Sequence, residues 1–219
     1  MMNFSHDRKG IRTDEGLPAP RLRGQEAGMT LIELVVVLSI FAVLASVIIF
    51  NYQKFLSKVN IKVLANDMAL KLVEAQKNAT SGKQNAAASS SWRPSYGVYF
   101  NLASGGNTSS KIFYSFADLN QNKAFDPGSY NCPAGECVER VNITKNDFVS
   151  GMRVVYTDNS ATAVNSLSIS FTRPDASATM RSSTALGSNI SYAEITVASP
   201  DAAIKALVKV YASGRIQIN

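Results

Sequence analysis

From Met29 to Phe50 the chain reads M-T-L-I-E-L-V-V-V-L-S-I-F-A-V-L-A-S-V-I-I-F, 22 residues with one charge, Glu33. No other stretch limits the possible folds so severely. A run of this length and apolarity is that of a membrane-spanning helix. At about 1.5 Å per residue it reaches roughly 33 Å, against a hydrocarbon core of about 30 Å. Two details set it apart from a plain span. A carboxylate stands near its start, where burial in lipid is costly. Gly28 precedes it directly, with a polar, basic segment further upstream.

Residues 1–28 carry five basic side chains (Arg8, Lys9, Arg12, Arg21, Arg23) and four acidic ones (Asp7, Asp14, Glu15, Glu26). Orientation follows Lys and Arg, so this end is expected to stay cytoplasmic and the rest of the chain to lie outside the membrane. A secretory signal peptide fits poorly, because the apolar run is too long and no A-x-A site follows closely. An ordinary signal anchor that happens to carry a glutamate is the plain alternative.

The residues Gly28, Met29, Thr30, Leu31, Ile32 and Glu33, followed by the 17 uncharged residues Leu34–Phe50, resemble the class III signal sequence of type IV pilins and pseudopilins. The usual pattern there is G-F-T-L-I-E, with Met29 here in place of Phe. The resemblance implies that a prepilin peptidase cuts between Gly28 and Met29, that Met29 becomes the methylated N-terminus, and that Glu33 serves filament assembly. A carboxylate in an apolar bundle needs a partner. The new α-ammonium of a neighbouring subunit would supply one and so set the axial register. Phe50 stands where many type IV major pilins place a kinking proline, so no kink is encoded at that point.

Past Phe50, residues 51–80 contain neither Pro nor Gly. Two apolar stripes run along them at helical spacing. One is Tyr52, Leu56, Val59, Val63, Leu70 and Val73; the other is Ile61, Leu64, Met68, Leu72, Ala75 and Ala79. They fall on nearly opposite faces. One face is expected to meet the chain's own globular domain, the other its neighbours in a filament. Ser81-Gly82 closes the helix, with Gly82 as the residue just past its end, and a small-residue linker follows.

From Ser95 onward the pattern is that of strands. The spacing predicts them over Tyr96–Leu102, Lys111–Phe116, Val138–Ile143, Arg153–Thr157, Ser166–Thr172, Tyr192–Val197, Leu207–Tyr211 and Arg215–Ile218. Ile112, Tyr114 and Phe116 share one face of a strand, and so do Leu167, Ile169 and Phe171. Turns fall at residues 104–107, 158–160, 173–175 and 213–214. The fold class is α+β: a long N-terminal transmembrane helix packed on a C-terminal antiparallel β-rich globular domain. The expected organisation is a removed leader 1–28, a transmembrane and filament-core helix 29–50, the soluble half of the helix 51–81, a linker 82–94 and the β-rich domain 95–219.

The two cysteines, Cys132 and Cys137, are five residues apart in what should be an extracytoplasmic domain, and so are expected to form a disulfide. The only histidine is His6, inside the leader. Its removal excludes Ser-His-Asp and Cys-His catalysis and any histidine-ligated metal, and argues against an enzyme. Without the leader, 17 basic and 12 acidic residues remain, a mild excess that demands no nucleic-acid partner.

One loop carries metal-like spacing. Asp118, Asn120, Asn122 and Asp126 place side-chain oxygens at alternate positions, with the Ala124 carbonyl between them, a set suited to calcium. Lys123 stands where such loops have Gly, and Ser129 where they have Glu; Glu136 or Glu139 would substitute if the disulfide loop folds back. Asn and Asp are equally ordinary turn formers, so a calcium site and a self-hydrogen-bonded loop both stand.

The closing A-S-G-R-I-Q-I-N, with Phe171 and Pro174 upstream, is similar to the GspH/FimT-type minor pseudopilins; Gly214, Arg215 and Ile216 match their closing strand. The resemblance implies a minor subunit of a type II secretion pseudopilus or a type IV pilus. Its partners would be other pilin subunits, the prepilin peptidase and, before assembly, the lipid bilayer. Some FimT-like members bind DNA for natural transformation through a G-R-x-R patch. Here Gln217 replaces the second Arg, leaving Arg215 with Lys205 and Lys209 nearby, so DNA binding is the alternative and a structural role for Arg215 the leading reading.

Overall fold

The computed structural model describes residues 28–86, 88, 92–103, 109–126 and 130–219. The expected leader up to residue 27, the turn at 104–107 and Ser129 lie outside them.

One helix, α1 (Leu31–Thr80), runs for 50 residues. Thr30 caps it, its Oγ1 accepting from Glu33 N at 3.3 Å. Its end is closed by two bonds, Lys83 N to Asn78 O at 2.9 Å and Gly82 N to Ala79 O at 3.0 Å, with Gly82 at φ +63°. That pairing takes up otherwise orphaned carbonyls and needs a left-handed residue, which glycine supplies without strain.

The chain divides into two compact units, one up to Val47 and one from Ile48 to Asn219. In the first, the helix buries none of its apolar window; Leu31, Phe41 and Val43 are among the exposed side chains. A helix apolar on every side finds its partner in lipid or in other helices.

The second unit holds the rest of α1 and, among the described residues, ten strands. Five form a sheet of order β3-β2-β1-β6-β7: β1 (Ser95–Asn101), β2 (Ile112–Asp118), β3 (Cys137–Asn142), β6 (Ser166–Phe171) and β7 (Ala178–Arg181). The others form a sheet of order β10-β9-β8-β4-β5: β4 (Phe148–Tyr156), β5 (Ala161–Ala163), β8 (Ile190–Ala198), β9 (Lys205–Tyr211) and β10 (Ile216–Ile218). All the pairings are antiparallel.

The two stripes of the helix have opposite fates. Ile61, Leu64, Met68, Leu72, Ala75 and Ala79 are all buried in one core with Phe113, Leu167, Ile169 and Phe171 of the first sheet and Ile195, Val208 and Val210 of the second. Tyr52, Val59, Val63, Leu70 and Val73 are exposed. The first sheet is buried on both faces at its centre, because a second cluster of Tyr99, Tyr114, Phe116, Phe125 and Cys137 covers the side away from the helix. Gly97 permits this: a Cβ there would stand 2.4 Å from Ile169 O and 2.6 Å from the Phe116 ring. Ile112, Tyr114 and Phe116 do share a face, but it is this outer aromatic one; Phe113 and Ala117 point to the helix.

Candidate functional site

The candidate residues read from the sequence fall in three places: the helix start, the Asp118 loop with its disulfide, and the cations near the last two strands.

At the helix start Gly28 and Met29 are exposed and precede the first turn. A Cβ at Gly28 would meet nothing within 4 Å, so the fold itself does not demand glycine there. Glu33 is exposed on the first turn, where a carboxylate is favoured by the helix dipole.

The segment after β2 is knotted by its own amides. Asp118 is fully buried; its Oδ1 accepts from Asn122 N at 3.1 Å and its Oδ2 from Lys123 N at 3.2 Å. Asn120 and Asn122 both donate their side-chain amides to Asp126, and Asn122 Oδ1 accepts from Ala124 N at 2.8 Å. Lys123, in the left-handed region at φ 65°, brings its ammonium to 3.8 Å from Asp118 Oδ2 and donates to Ser95 Oγ at 2.8 Å. The position that a calcium loop gives to glycine thus holds a cation that balances the buried carboxylate. Among the described residues no group of three or more His, Cys, Asp or Glu side chains could hold a metal ion. As placed, side-chain oxygens of Asp118, Asn122 and Asp126 accept from amides of the same loop.

Cys132 and Cys137 are joined, their Cα atoms 5.1 Å apart. A loop this short stabilises by about 2 kcal/mol in the chain-entropy account. The disulfide loop does fold back, and Glu136 within it clamps the Asp118 loop: Oε1 accepts from Leu119 N at 3.0 Å and Oε2 from Asp126 N at 2.9 Å. Burial pushes the Glu136 carboxyl above its ordinary value, with the two backbone N–H donors opposing. Glu139 goes elsewhere, pairing at 2.6 Å with Lys71 of α1, whose pKa is raised chiefly by that bond.

The cations near the C-terminal strands are each engaged by neighbouring side chains or set apart along the strand. Arg215 stacks its guanidinium 3.8 Å over the Tyr211 ring. Lys209 lies 5.1 Å over the Tyr192 ring and 3.6 Å from Oε2 of Glu194, a buried carboxylate that also takes Arg153 Nη2 on Oε1 at 2.8 Å. Register explains that triad: Arg153, Glu194 and Lys209 are cross-strand neighbours on β4, β8 and β9. Lys205, at the start of β9, lies four residues from Lys209, about 13 Å along a strand. Glu194 gave no signal in the sequence, since only strand register joins it to its two cations.

Compared with known proteins, residues 23–49 match the family described as the prokaryotic N-terminal methylation motif. No curated protein and no solved structure matches the chain. The motif match covers the helix start and most of the apolar run; it supports a precursor of the type IV pilin and pseudopilin superfamily, with the apolar helix as membrane anchor.

Proposed function

We propose that the chain is a minor pilin or pseudopilin of the GspH/FimT type, a structural subunit of a type II secretion pseudopilus or a type IV pilus. Prepilin peptidase cuts between Gly28 and Met29, Met29 is methylated, and the β-rich domain lies on the outer side of the cytoplasmic membrane. The role is assembly rather than catalysis: the apolar helix leaves lipid and packs among the helices of other subunits.

The observation that carries this reading is the division of labour along α1 after the membrane run. One apolar stripe is consumed by the chain's own core, and the other, from Tyr52 to Val73, is exposed except for the half-buried Leu56. Exposed apolar side chains in such a row are a surface for a partner. Of the two fates open to Arg215, the stacked one over Tyr211 supports a structural rather than a phosphate-binding role.

The test is the N-terminus of the chain recovered from cells that contain the peptidase. Intact mass and terminal sequencing are expected to show a chain beginning at methylated Met29. A chain still carrying Gly28 would refute the reading.

A further inference from the structure

The exposed stripe of α1 is flanked by charges of opposite sign, all within the unit from Ile48 to Asn219. On one side a cavity of about 670 Å³ opens between the helix and the start of β9, with Lys58, Lys62 and Lys205 over apolar walls of Ile204 and Ile218. No Asp or Glu side chain lines it. The three lysines are exposed. Among the described residues none of them forms an ion pair, with a side chain or with the chain's terminal carboxylate.

On the other side carboxylates outnumber cations. Two smaller clefts there are lined by Asp67, Asp147 and Lys145, and by Glu74, Glu139 and Lys71. Lys71 is shared between Glu74 at 3.1 Å and Glu139 at 2.6 Å. Lys145 donates to Asn60 Oδ1 at 2.6 Å and faces the buried Asp147. Asp67 is exposed and, among the described residues, has no ion pair. At about 100° per residue, Lys62 lies roughly 80° to one side of Leu70 and Asp67 roughly 60° to the other. The apolar stripe thus runs between a basic flank and an acidic one.

We propose that these flanks are the two halves of one contact: the lysine cavity of one copy of the chain takes the Asp67 flank of a second copy. Charge identifies the occupant, since each flank carries the excess that the other lacks, and the apolar stripe between them is covered from both sides. The flanks are about 140° apart around the helix, so they face different neighbours. Joining unlike flanks is a heterologous contact; it leaves one flank free at each end and repeats along a filament instead of closing into a pair. The inference rests on the filament reading above and adds that copies of this chain follow one another directly, with no other subunit between them.

The experiment uses the full-length chain in cells that contain the prepilin peptidase, with thiols joined by a short bismaleimide that leaves the closed Cys132–Cys137 pair untouched. A tagged chain carrying Lys62→Cys and an untagged chain carrying Asp67→Cys are expected to join to each other, and neither to itself. A chain carrying both substitutions should give a ladder beyond the dimer. Lys58→Glu with Lys205→Glu, added to the tagged chain, should lower the cross-linked yield about tenfold, because like charges then meet. Glu74→Lys in the untagged chain should restore it. Where the reversed chain does not accumulate in the membrane fraction, Lys58→Gln with Lys205→Gln is read in its place, with a loss in the same direction. Self-joining of the Lys62→Cys chain, or dimers without a ladder, overturns the proposal in favour of a closed pair. Joining only to a different subunit overturns the second copy as occupant, and full yield from the accumulated charge variant overturns the role of the lysines. A chain still carrying Gly28 overturns the filament reading itself, whereas a processed chain without cross-links overturns this inference alone.

Discussion

Gln76, three residues before the last buried side chain of α1, donates from Nε2 to the carbonyl oxygen of Gly214 at 3.0 Å. The same nitrogen donates to Ala176 O at 2.9 Å. One side chain thus ties the helix to the turn between the last two strands and to the segment before β7. Gly214 sits at φ +87°, and a Cβ on it would stand 1.9 Å from Ala176 O. The glycine that resembles a binding motif in the sequence is therefore required by backbone packing.

Gly214→Ala is expected to destabilise the domain by about 2–4 kcal/mol, from left-handed strain together with the forced retreat of Ala176. Gln76→Ala, which strips a donor from two carbonyls, should cost roughly 1–2 kcal/mol. Thermal unfolding of the purified chain reads both, and a Gly214→Ala protein with unchanged Tm would show that the close approach is relaxed at no cost.

Much of this architecture is legible in the residues, for identifiable reasons. Helical periodicity separates Leu70 from Leu72 because the two stripes differ by a half-turn, and the buried stripe is the one that matches the two sheets. The longer strands announce themselves by alternation and by β-branched and aromatic content. β5, only Ala-Thr-Ala, and β7, Ala-Thr-Met-Arg, do not; each is an edge strand fixed by its neighbour rather than by its own pattern. The Asp118 loop shows why spacing alone leaves two readings open. Oxygens at alternate residues serve a cation or the loop's own amides equally well, and the ammonium of Lys123 and the clamp from Glu136 favour the amides.

The two faces of the helix give a paired prediction from residues two positions apart. Leu72 is fully buried and Leu70 is 63 % exposed. Leu72→Ala is expected to cost about 2–5 kcal/mol of stability through the cavity it leaves. Leu70→Lys should change stability by no more than about 0.5 kcal/mol, yet reduce recovery of the chain in sheared filament fractions. Comparing Tm with filament recovery separates the two effects; normal recovery of Leu70→Lys would remove that face from the assembly surface.

Acid should tighten the loop end of the domain before it loosens it. The Glu136 carboxyl is held above its ordinary 4.5, chiefly by burial, and that of Asp147 above its ordinary 3.8, also by burial, with Lys145 opposing. A raised carboxyl pKa means that the folded state binds the proton more tightly than the unfolded chain. Its contribution is fully present below the ordinary value and is lost as pH rises through the raised one. Asp158 and Asp201 work in the opposite sense: hydrogen bonds from Ser160 and Ser199 lower them, so their contributions are lost as pH falls below about 3.8. The Tm is therefore expected to rise on mild acidification from neutral and to fall at lower pH. Glu136→Gln, whose amide cannot accept from both Leu119 N and Asp126 N, should start from a lower Tm and show a smaller rise. A wild-type Tm that declines steadily from pH 7 would count against burial as the dominant influence on Glu136.

Glu33 gives the sharpest separation between membrane and filament. It lies on the first turn, capped through its backbone N–H by Thr30, so neither Glu33→Ala nor Glu33→Val removes the cap. Taking a carboxylate out of an apolar run makes transfer into lipid easier, so both variants should insert at least as well as wild type in carbonate-extraction fractionation. In the filament the same carboxylate is expected to pair with the α-ammonium of a neighbour's Met29, and removing one partner of a buried pair leaves the other uncompensated at a cost of about 3–5 kcal/mol per contact. Incorporation should then fall well beyond tenfold, with cleavage at Gly28 and membrane content preserved. Blocking the amine instead, by expressing the chain in cells lacking the peptidase, should give the same assembly defect without touching Glu33. Glu33→Ala protein that enters filaments at the wild-type level would break the link between the carboxylate and axial register.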